Sequence, residues 1–343
     1  MVKYAKKILE DMCMYLSGDI GGTKVNLAYF ESREGLKKSA FEKKYSSADY
    51  PGLAPILKDF LRDCPAAVSR ASFGIAGPVY NDECITPNLP WHIRARDLEK
   101  ECGIETVHLI NDLEATAWGI RTLKRCDLLT LSKTKQAGKG NAAVIAAGTG
   151  LGEAALFWNG TCHIPFATES GHVEFAPQTP LEMELLVFMQ SKYERVSYER
   201  ILSGNGLVCI YEFFLTKGEK ASTHIREEME DDDRAAVITE HALEGSDAAC
   251  VKSLELFVKL YGAEAGNLAL HQLARGGIYV GGGIAPKILD FLKKPLFMEA
   301  FLNKGRMQKL LESIPVTVIL NDKTALRGAG VHALEVHAQG GGH

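Results

Sequence analysis

The fold is decided by residues 17–24, which read Ser17-Gly18-Asp19-Ile20-Gly21-Gly22-Thr23-Lys24. The segments on either side, 12–16 and 25–30, have the pattern of extended chain, so we predict a strand, a glycine turn and a second strand. A dinucleotide-binding fold would continue from its glycines into a helix, and a P-loop would end in Gly-Lys-Ser/Thr. A glycine hairpin lets backbone N–H groups approach phosphate oxygens, while Asp19 holds Mg²⁺ directly or through water. A plain hairpin with a Gly-Gly turn explains this segment equally well.

A second segment of the same kind decides between these interpretations. Residues 142–152 run from an apolar strand into the turn Gly148-Thr149-Gly150, and residues 154–158 continue as a strand. Two phosphate-type hairpins roughly a domain apart indicate a nucleotide held by two similar lobes, each with one phosphate loop. This is the architecture of the actin, Hsp70 and sugar-kinase ATPases.

Composition limits the classes of protein to consider. The chain has 343 residues, enough for two domains, with 46% hydrophobic and 24% charged residues, an ordinary globular mixture. A net charge of −4 argues against a nucleic-acid partner, and no apolar run is long enough to predict a membrane span. The eight cysteines include no C-x-x-C pair, which disfavours structural zinc and favours reduced thiols in a cytoplasmic protein.

The remaining pattern alternates strands and helices, which predicts a mixed sheet with helices on its faces. In the first half we predict strands at 35–45, 71–76 and 106–110, and helices at 51–62 (with Pro51 in the first turn), 95–102 and 113–123. In the second half we predict helices at 197–216 and 248–274, a strand, glycine turn and Pro286-opened helix over 276–286, and a solvated acidic loop at 227–233.

Polar residues at element ends are the candidates for chemistry. Asp112 follows Asn111 where a buried strand passes into a helix, the usual place for ligand groups in such sheets. An Asp there is often a helix N-cap, but a carboxylate that accepts a hydroxyl proton is also what phosphoryl transfer to an alcohol needs. The triple glycine at 281–283 permits close backbone approach and is interpreted as a platform for the adenosine end of a nucleotide.

Four further polar residues have both a binding and a structural interpretation. Glu169 and His172 can converge on neighbouring hydroxyls of one polyol, or they form a surface turn. Glu199 is either a ligand or the N3 residue of a capping box. Asn88, in a proline-braced loop, presents its amide to a ligand or makes an Asx turn.

Taken together, these motifs resemble those of bacterial-type glucokinases of the hexokinase–actin–Hsp70 superfamily, over about residues 14–335. Any one motif is weak, but six in order at fitting separations are specific. They are residues 18–23, 109–112, 147–152, 169–177, 200–207 and 281–286. The resemblance implies an α/β fold of two actin-like (RNase H-like) ATPase lobes, with mixed sheets flanked by helices and an active-site cleft between them. The small lobe would comprise 14–122 and 321–343, and the large lobe 123–320.

The resemblance also implies roles for individual residues. Asp112 would be the general base on the 6-hydroxyl of glucose, in the entry step of glycolysis. The groups that bind the sugar would be Asn88, Asn111, Asp112, Glu169, His172 and Glu199. The groups that bind Mg-ATP would be Gly18, Asp19 (the Mg²⁺ ligand), Gly21, Gly22, Thr23, Gly148, Thr149, Gly150, Gly281, Gly282 and Gly283. Members of the family are typically cytoplasmic and often homodimeric, and neither a nucleic acid nor a membrane is expected as a partner.

Three positions depart from the usual pattern of the family, and one of them is Ser170, which stands where Gly is common beside Glu169. Lys24 stands where Asn is usual, and Asn26 where Arg is usual. Lys24 is similar to the ROK branch of sugar kinases and repressors, but the clustered zinc-binding cysteines of that branch are absent from this sequence. Other hexoses (mannose, glucosamine), another donor such as polyphosphate, a sugar-sensing protein with poor turnover and an actin-like ATPase remain as alternatives.

Overall fold

The computed structural model describes residues 14–31, 39–134, 137–220 and 222–339. The chain divides into two compact units. Unit 1 comprises Met1–Arg125, Pro165–Ala167 and Asn321–His343, and unit 2 comprises Cys126–Ile164 and Thr168–Leu320. Each unit contains a mixed sheet with helices packed on it, as the α/β prediction requires.

Unit 1 is built on a five-stranded sheet in the order β3-β2-β1-β4-β7. Its strands, including those of a separate two-stranded hairpin, are β1 (Tyr15–Ile20), β2 (Lys24–Phe30), β3 (Phe41–Ser46), β4 (Arg70–Ile75), β5 (Glu83–Ile85), β6 (His92–Arg94) and β7 (Thr106–Asn111). Its helices are α1 (Leu53–Arg62), α2 (Ala95–Cys102), α3 (Asp112–Gly119) and, from the C-terminal segment, α12 (Thr324–Gln339). One apolar core joins the sheet to α1 and α2, and a second joins it to α3 and α12.

Unit 2 is built on a six-stranded sheet in the order β11-β10-β9-β12-β13-β8. Its strands are β8 (Leu128–Thr130), β9 (Ala142–Ala147), β10 (Leu151–Trp158), β11 (His163–Thr168), β12 (Gly277–Gly281) and β13 (Val316–Ile319). Its helices are α4 (Pro180–Gln190), α5 (Gly204–Thr216), α6 (Thr223–Asp231), α7 (Arg234–Glu244), α8 (Ala248–His271), α9 (Leu289–Leu292), α10 (Pro295–Leu302) and α11 (Gln308–Glu312).

Both predicted hairpins are confirmed. Strands β1 and β2 pair antiparallel, with Asp19 opposite Asn26, and β9 and β10 pair antiparallel, with Ala147 opposite Leu151. Helix α8 is the longest in the described part of the chain, and its predicted apolar stripe is buried over its whole length. The periodicities of 2 and 3.6 residues were therefore sufficient to find these elements.

Several predicted boundaries are wrong, and each has a local reason. Pro51 precedes α1, because the extended Gly52 is the N-cap. The helix predicted from 197 begins only at Gly204, because Ser203 accepts a hydrogen bond from the Gly206 N–H and is the N-cap. Pro286 lies among turns, and α9 begins at Leu289.

Other differences concern which elements exist. The acidic run 227–233 is not a loop: it forms the end of α6, and Asp233 caps α7 by accepting from the Ala235 N–H. The hairpin β5–β6 was not predicted, because its strands have only three residues each, too few for an alternating pattern to be recognised in the sequence. The third strand begins at Phe41 in the described part of the chain, and the predicted residues 35–38 lie outside the described ranges.

Candidate active site

The first glycine turn of unit 1 is anchored by a residue that sequence analysis did not single out. The turn closes with a hydrogen bond from the Gly21 N–H to the Lys24 carbonyl oxygen. Ser47, which is fully buried after β3, donates from Oγ to the Gly21 oxygen at 2.9 Å and from its backbone N–H to the Thr23 oxygen at 3.0 Å. A serine after a short strand carries no recognisable sequence signal for this role.

Asp19, at the end of β1, is held by its antiparallel neighbour. The Asn26 side-chain amide donates to Asp19 Oδ2 at 3.2 Å, while Asn26 Oδ1 is buried without a hydrogen-bond partner. Burial raises the pKa of the Asp19 carboxyl above its ordinary value, and the bond from Asn26 lowers it in part. A desolvated carboxylate beside an unsatisfied amide oxygen is a donor set that suits a hard cation such as Mg²⁺.

Asp112 follows the C-terminal end of β7, on the same side of the sheet as this turn, which follows the C-terminal end of β1. Strands β1, β4 and β7 are parallel, and their register places Ile20, Ile75 and Asn111 in one row, so Asp112 follows two strands away from the turn. Neighbouring strands are about 4.8 Å apart, which places the backbones of the two segments about 10 Å apart. A carboxylate and a phosphate-type turn therefore lie together at the carboxyl ends of the parallel strands of unit 1.

The helix cap next to Asp112 is provided by its neighbour. Asn111 Oδ1 accepts hydrogen bonds from the N–H groups of Leu113 (2.8 Å) and Glu114 (3.4 Å), and Asn111 Nδ2 donates to the Gly77 oxygen at 3.3 Å. Asp112 is the first helical residue, and its Oδ1 accepts from the Leu113 N–H at 2.9 Å. The N-cap interpretation therefore applies to Asn111, and Asp112 does not have to serve as the cap.

Asn88 lies against the first glycine turn. A Cβ added to Gly22 would lie 3.0 Å from the Asn88 Cβ, so a larger residue at 22 would push this loop away. Thr86 closes the loop by donating from Oγ1 to the carbonyl oxygens of Leu89 (2.8 Å) and Trp91 (3.2 Å). The exposed Asn88 side chain is thus held on a rigid loop beside the turn.

In unit 2, the structure brings the three predicted sugar ligands together. His172 Nε2 lies 3.9 Å from Glu169 Oε2, and His172 Nδ1 lies 3.8 Å from Glu199 Oε1. The backbone N–H of His172 donates to the Glu169 oxygen at 3.0 Å, and that of Glu199 donates to the Gly171 oxygen at 2.9 Å. Two carboxylates and an imidazole therefore form one exposed cluster.

The cluster is joined to the second glycine turn through Glu199. Glu199 Oε2 accepts a hydrogen bond from the Leu151 N–H at 3.2 Å, and a Cβ on Gly150 would lie 2.5 Å from the same oxygen. The capping-box interpretation of Glu199 is wrong, because α5 begins only at Gly204. One carboxylate thus contacts the backbone of a phosphate-type turn and the imidazole of the polyol cluster.

A cavity of about 750 Å³ lies beside the second glycine turn, within the range of volumes typical of ligand pockets. Gly148 and Thr149 form one wall, and the Gly204 N–H donates to the Gly148 oxygen at 2.9 Å. The cavity is also lined by Asn205, Asp233, Arg234, Ala236, Glu240, Gly283 and Lys287. Gly282 has a positive φ of 83°, and its Cβ would lie 2.3 Å from the Ala147 oxygen, so only glycine fits where this wall meets the turn.

The sequence predicted that Gly148, Thr149 and Gly283 bind the nucleotide, but it did not predict that α7 forms another wall of this cavity. The residues of that helix lie far from both glycine segments in the sequence, and they have the composition of an ordinary surface helix. Only the folded chain brings them to one cavity.

Within the described residues, no group of three or more His, Cys, Asp or Glu side chains has the geometry to hold a metal ion. No helix in the described ranges is both long and apolar enough to cross a membrane. Asp19 is thus not part of such a group. Mg²⁺ sites that bind nucleotides commonly use one or two carboxylates together with phosphate oxygens and water.

The chain is similar to known proteins in sequence and in fold. The chain is 42% identical to a glucokinase of Synechocystis sp., over 94% of this chain and 98% of that protein. It superposes on the crystal structure of a glucokinase from an Antarctic psychrotroph with a TM-score of 0.82 and 28% identity, over 94% of this chain and 99% of that one. A Balamuthia mandrillaris glucokinase, solved in complex with glucose, has the same fold (TM-score 0.78, 21% identity, 97% and 99% coverage).

The fold, the two glycine turns and the polar cluster define a sugar kinase with the actin-like ATPase fold. The family model for glucokinase matches residues 16–336, and the chain belongs to the glucokinase family. The comparisons do not favour the alternatives that the sequence left open.

Proposed function

We propose that this protein is an ATP-dependent glucokinase, which transfers the γ-phosphoryl group of ATP to the 6-hydroxyl of D-glucose to give glucose 6-phosphate and ADP. The observation that carries the proposal is the cluster of Glu169, His172 and Glu199, tied through Glu199 to the backbone of the second glycine turn. A polyol-binding cluster next to a phosphate-type turn suits a kinase, whereas an ATPase that works without a sugar has no use for it.

The function is tested by a coupled assay of the purified protein with Mg-ATP, with and without glucose. Glucose-dependent formation of glucose 6-phosphate is expected. ATP hydrolysis that proceeds equally well without glucose would contradict the proposal.

The residues of unit 1 supply the proton acceptor and one phosphate loop. Asp112 accepts the proton of the 6-hydroxyl as that oxygen attacks the γ-phosphorus in line, and general-base catalysis of this kind contributes about 10²- to 10⁴-fold. Gly21, Gly22 and Thr23 form the loop that is proposed to receive the phosphates. The predicted contact of Gly18 is wrong, because Gly18 is buried inside β1, opposite Leu27. Asn111 and Asn88 are proposed to contact the sugar, Asn111 through an amide whose oxygen also caps α3.

Asp19 is proposed to hold Mg²⁺, through water or directly. When bound, the ion neutralises charge on the phosphate oxygens. Asn26 holds the Asp19 carboxylate in place, so the departure from the usual Arg at 26 gives Asp19 a hydrogen-bond donor of lower charge. Lys24 is exposed at the start of β2.

The residues of unit 2 bind the sugar and the remainder of the nucleotide. Glu169, His172 and Glu199 accept or donate hydrogen bonds to sugar hydroxyls, and the turn of Gly148, Thr149 and Gly150 is proposed to receive phosphate. The Gly148 N–H closes this turn by donating to the Gly150 oxygen at 2.8 Å. The cavity beside this turn, which Gly283 lines, is proposed to receive the adenosine, and Gly281 and Gly282 lead the chain from β12 to that wall.

We expect Glu169→Gln to weaken glucose binding by about 10- to 150-fold, because a hydrogen bond to a charged acceptor contributes about 1.5–3 kcal/mol. Isothermal titration with glucose measures the effect. Glu174→Gln is the matched control, since Glu174 lies in the same segment but pairs with Arg195 at the surface (2.6 Å). Equal glucose affinities of Glu169→Gln and the unmodified protein would remove Glu169 from the sugar site.

We expect Ala236→Trp to raise the KM for ATP at least about tenfold, because the indole would fill the cavity proposed for adenosine. Glucose affinity measured without nucleotide should stay within about twofold, which separates the cavity from the sugar cluster. Ala248→Trp, at the exposed start of α8, serves as the control for a surface indole in the same unit. An unchanged KM for ATP in Ala236→Trp would place the nucleotide elsewhere.

We also propose a cytoplasmic location, a role at the entry of glycolysis and assembly as a homodimer. Helix α4 supports the dimer, because it exposes Leu181, Met183 and Val187 while Glu182 is buried and paired with Lys259 at 2.9 Å. An exposed apolar patch of this kind marks a surface that a protein partner can cover. A sedimentation coefficient that fits a monomer at micromolar concentration would contradict this assembly.

A further inference from the structure

Two acidic side chains are buried in unit 2, away from the residues given a role above. Glu153, on β10, and Glu264, on α8, are each about 1% exposed. Among the ion pairs formed by the described residues, none includes either side chain. Buried carboxyl groups without a cationic partner are costly in the ionised form, so the protonation state of this pair has to be derived from their contacts.

The two carboxyl groups are close enough to perturb each other's pKa. Both oxygens of Glu153 are buried without a hydrogen-bond partner, so an ionised Glu153 would be neither solvated nor paired. A protonated Glu153 that donates to Glu264 satisfies the contact. Burial and the neighbouring charge both raise the pKa of Glu153, so the pair retains one proton at neutral pH.

The groups around the pair place the remaining negative charge on Glu264. Asn267 Nδ2 donates to Glu264 Oε2 at 2.8 Å, and the Tyr198 hydroxyl, whose pKa is raised by burial and by the Glu264 charge, lies beside it. Burial raises the pKa of Glu264, and two neighbours lower it in part: the Asn267 amide and the Lys304 ammonium, whose Nζ donates to Asn267 Oδ1 at 2.6 Å. The Tyr261 hydroxyl, the other titratable group on α8 near Glu153, bonds to the backbone of β9 and β12.

This network reaches Glu199 from two directions. Tyr198 precedes Glu199, and its hydroxyl accepts a hydrogen bond at 3.1 Å from Asn267 Nδ2, the same amide nitrogen that donates to Glu264. Glu153 lies two residues after Leu151, whose N–H bonds to Glu199 Oε2. Both the backbone that carries Glu199 and the backbone that orients its carboxylate are therefore attached to the carboxyl pair.

We propose that Glu153 and Glu264 are positioning residues for the sugar site, and that the proton they share keeps Tyr198 and Glu199 aligned for glucose. The inference rests on the proposed function of Glu199. When the shared proton is lost above neutral pH, two buried carboxylates repel each other, β10 and the Tyr198 segment separate, and glucose affinity falls. The effect is on the sugar, since Glu153 and Glu264 do not line the cavity proposed for adenosine.

The raised pKa of Glu153 determines how the free energy of unfolding changes with pH. The folded protein keeps a proton that the unfolded chain releases near the ordinary pKa of glutamate, about 4.3. Stability from this pair is therefore complete at acidic pH and falls as pH rises through neutrality toward the folded-state pKa of Glu153. Glu153→Gln should remove this slope, because the amide donates to Glu264 at every pH.

The test compares the steady-state kinetics and thermal unfolding of the unmodified enzyme, Glu153→Gln and Glu255→Gln from about pH 7 to about pH 9.5. In the unmodified enzyme we expect the KM for glucose to rise at least about fivefold over this range, with the KM for ATP within about twofold. Glu153→Gln should give a flat profile. Glu255→Gln, on the exposed side of α8 and paired with Lys294, should keep the unmodified profile.

An equal alkaline rise in KM for glucose in Glu153→Gln and the unmodified enzyme would overturn the inference. If glucose is not phosphorylated at any pH, the proposed function fails. The shared proton is then tested by the unfolding temperature alone, which should fall more steeply with rising pH in the unmodified protein than in Glu153→Gln. If Glu153→Gln does not fold, difference infrared spectra of the unmodified protein decide: a protonated-carboxyl band that disappears at alkaline pH supports the shared proton, and its absence at neutral pH refutes it.

Discussion

Asp112→Asn is expected to lower kcat at least about 100-fold while glucose affinity changes little, because the amide cannot accept the 6-hydroxyl proton. The substitution leaves the local fold in place. The amide oxygen of the variant side chain can still accept from the Leu113 N–H, as Asp112 Oδ1 does at 2.9 Å, and the helix cap is supplied by Asn111. Single-turnover kinetics with saturating Mg-ATP and calorimetric titration with glucose measure the two quantities separately.

Asp97→Asn is the control for this experiment, since Asp97 lies in the first turn of α2 and pairs loosely with Arg94. It should retain the unmodified kcat. Near-normal turnover by Asp112→Asn would show that another group accepts the proton. A parallel loss of glucose affinity and kcat would instead assign Asp112 to sugar binding.

The structure and the sequence agree most closely where the physical signal is local. The hairpins around residues 18–23 and 147–152 were predicted because apolar strands and glycine turns follow one another directly in the chain. Helix α8 was predicted because apolar residues recur at helical spacing along its 24 residues. In each case the information needed lies within one continuous segment.

The prediction failed where tertiary contacts decide between similar local signals. Ser197 and Ser203 are both good N-caps by residue type, and the sequence gives no reason to prefer Ser203. In the folded chain the segment after Ser197 bonds elsewhere: the N–H groups of Tyr198 and Glu199 donate to the oxygens of Val173 and Gly171. Because of these long-range hydrogen bonds, the helix begins only at Gly204, and Glu199 lies beside His172.

The candidate site was predictable in its residue types but not in its supports. Carboxylates and glycines at the ends of strands and helices can be recognised from the sequence pattern. No such pattern marks Ser47, which donates a hydrogen bond to the first turn, or Glu153, which is buried near the sugar cluster. Their roles depend on atoms that are distant in the sequence, and no local pattern records such a contact. The α7 wall of the cavity was missed for the same reason.

The second large effect is expected at a glycine far from any reacting atom. A Cβ added to Gly328, on α12, would lie 1.7 Å from the Ala115 carbonyl oxygen and 2.5 Å from the Gly119 nitrogen, both in the backbone of α3. Gly119 makes the reciprocal approach, since its own Cβ would lie 2.0 Å from the Thr324 oxygen. The two helices therefore touch backbone to backbone, and neither can accept a methyl group without separating.

We expect Gly328→Ala to destabilise the protein by about 3 kcal/mol or more, although alanine favours an isolated helix over glycine by about 1 kcal/mol. We expect a net loss of stability because the new methyl group would clash with backbone atoms, which cannot rotate away as a side chain can. Urea unfolding measures the loss, with Gly52→Ala as the control, since Gly52 has extended backbone and nothing within 4 Å of its added Cβ. An unchanged urea midpoint in Gly328→Ala would show that α12 and α3 can separate freely. Because α3 begins with Asp112, any displacement that the protein survives should also lower kcat, which links this remote helix contact to the proposed general base.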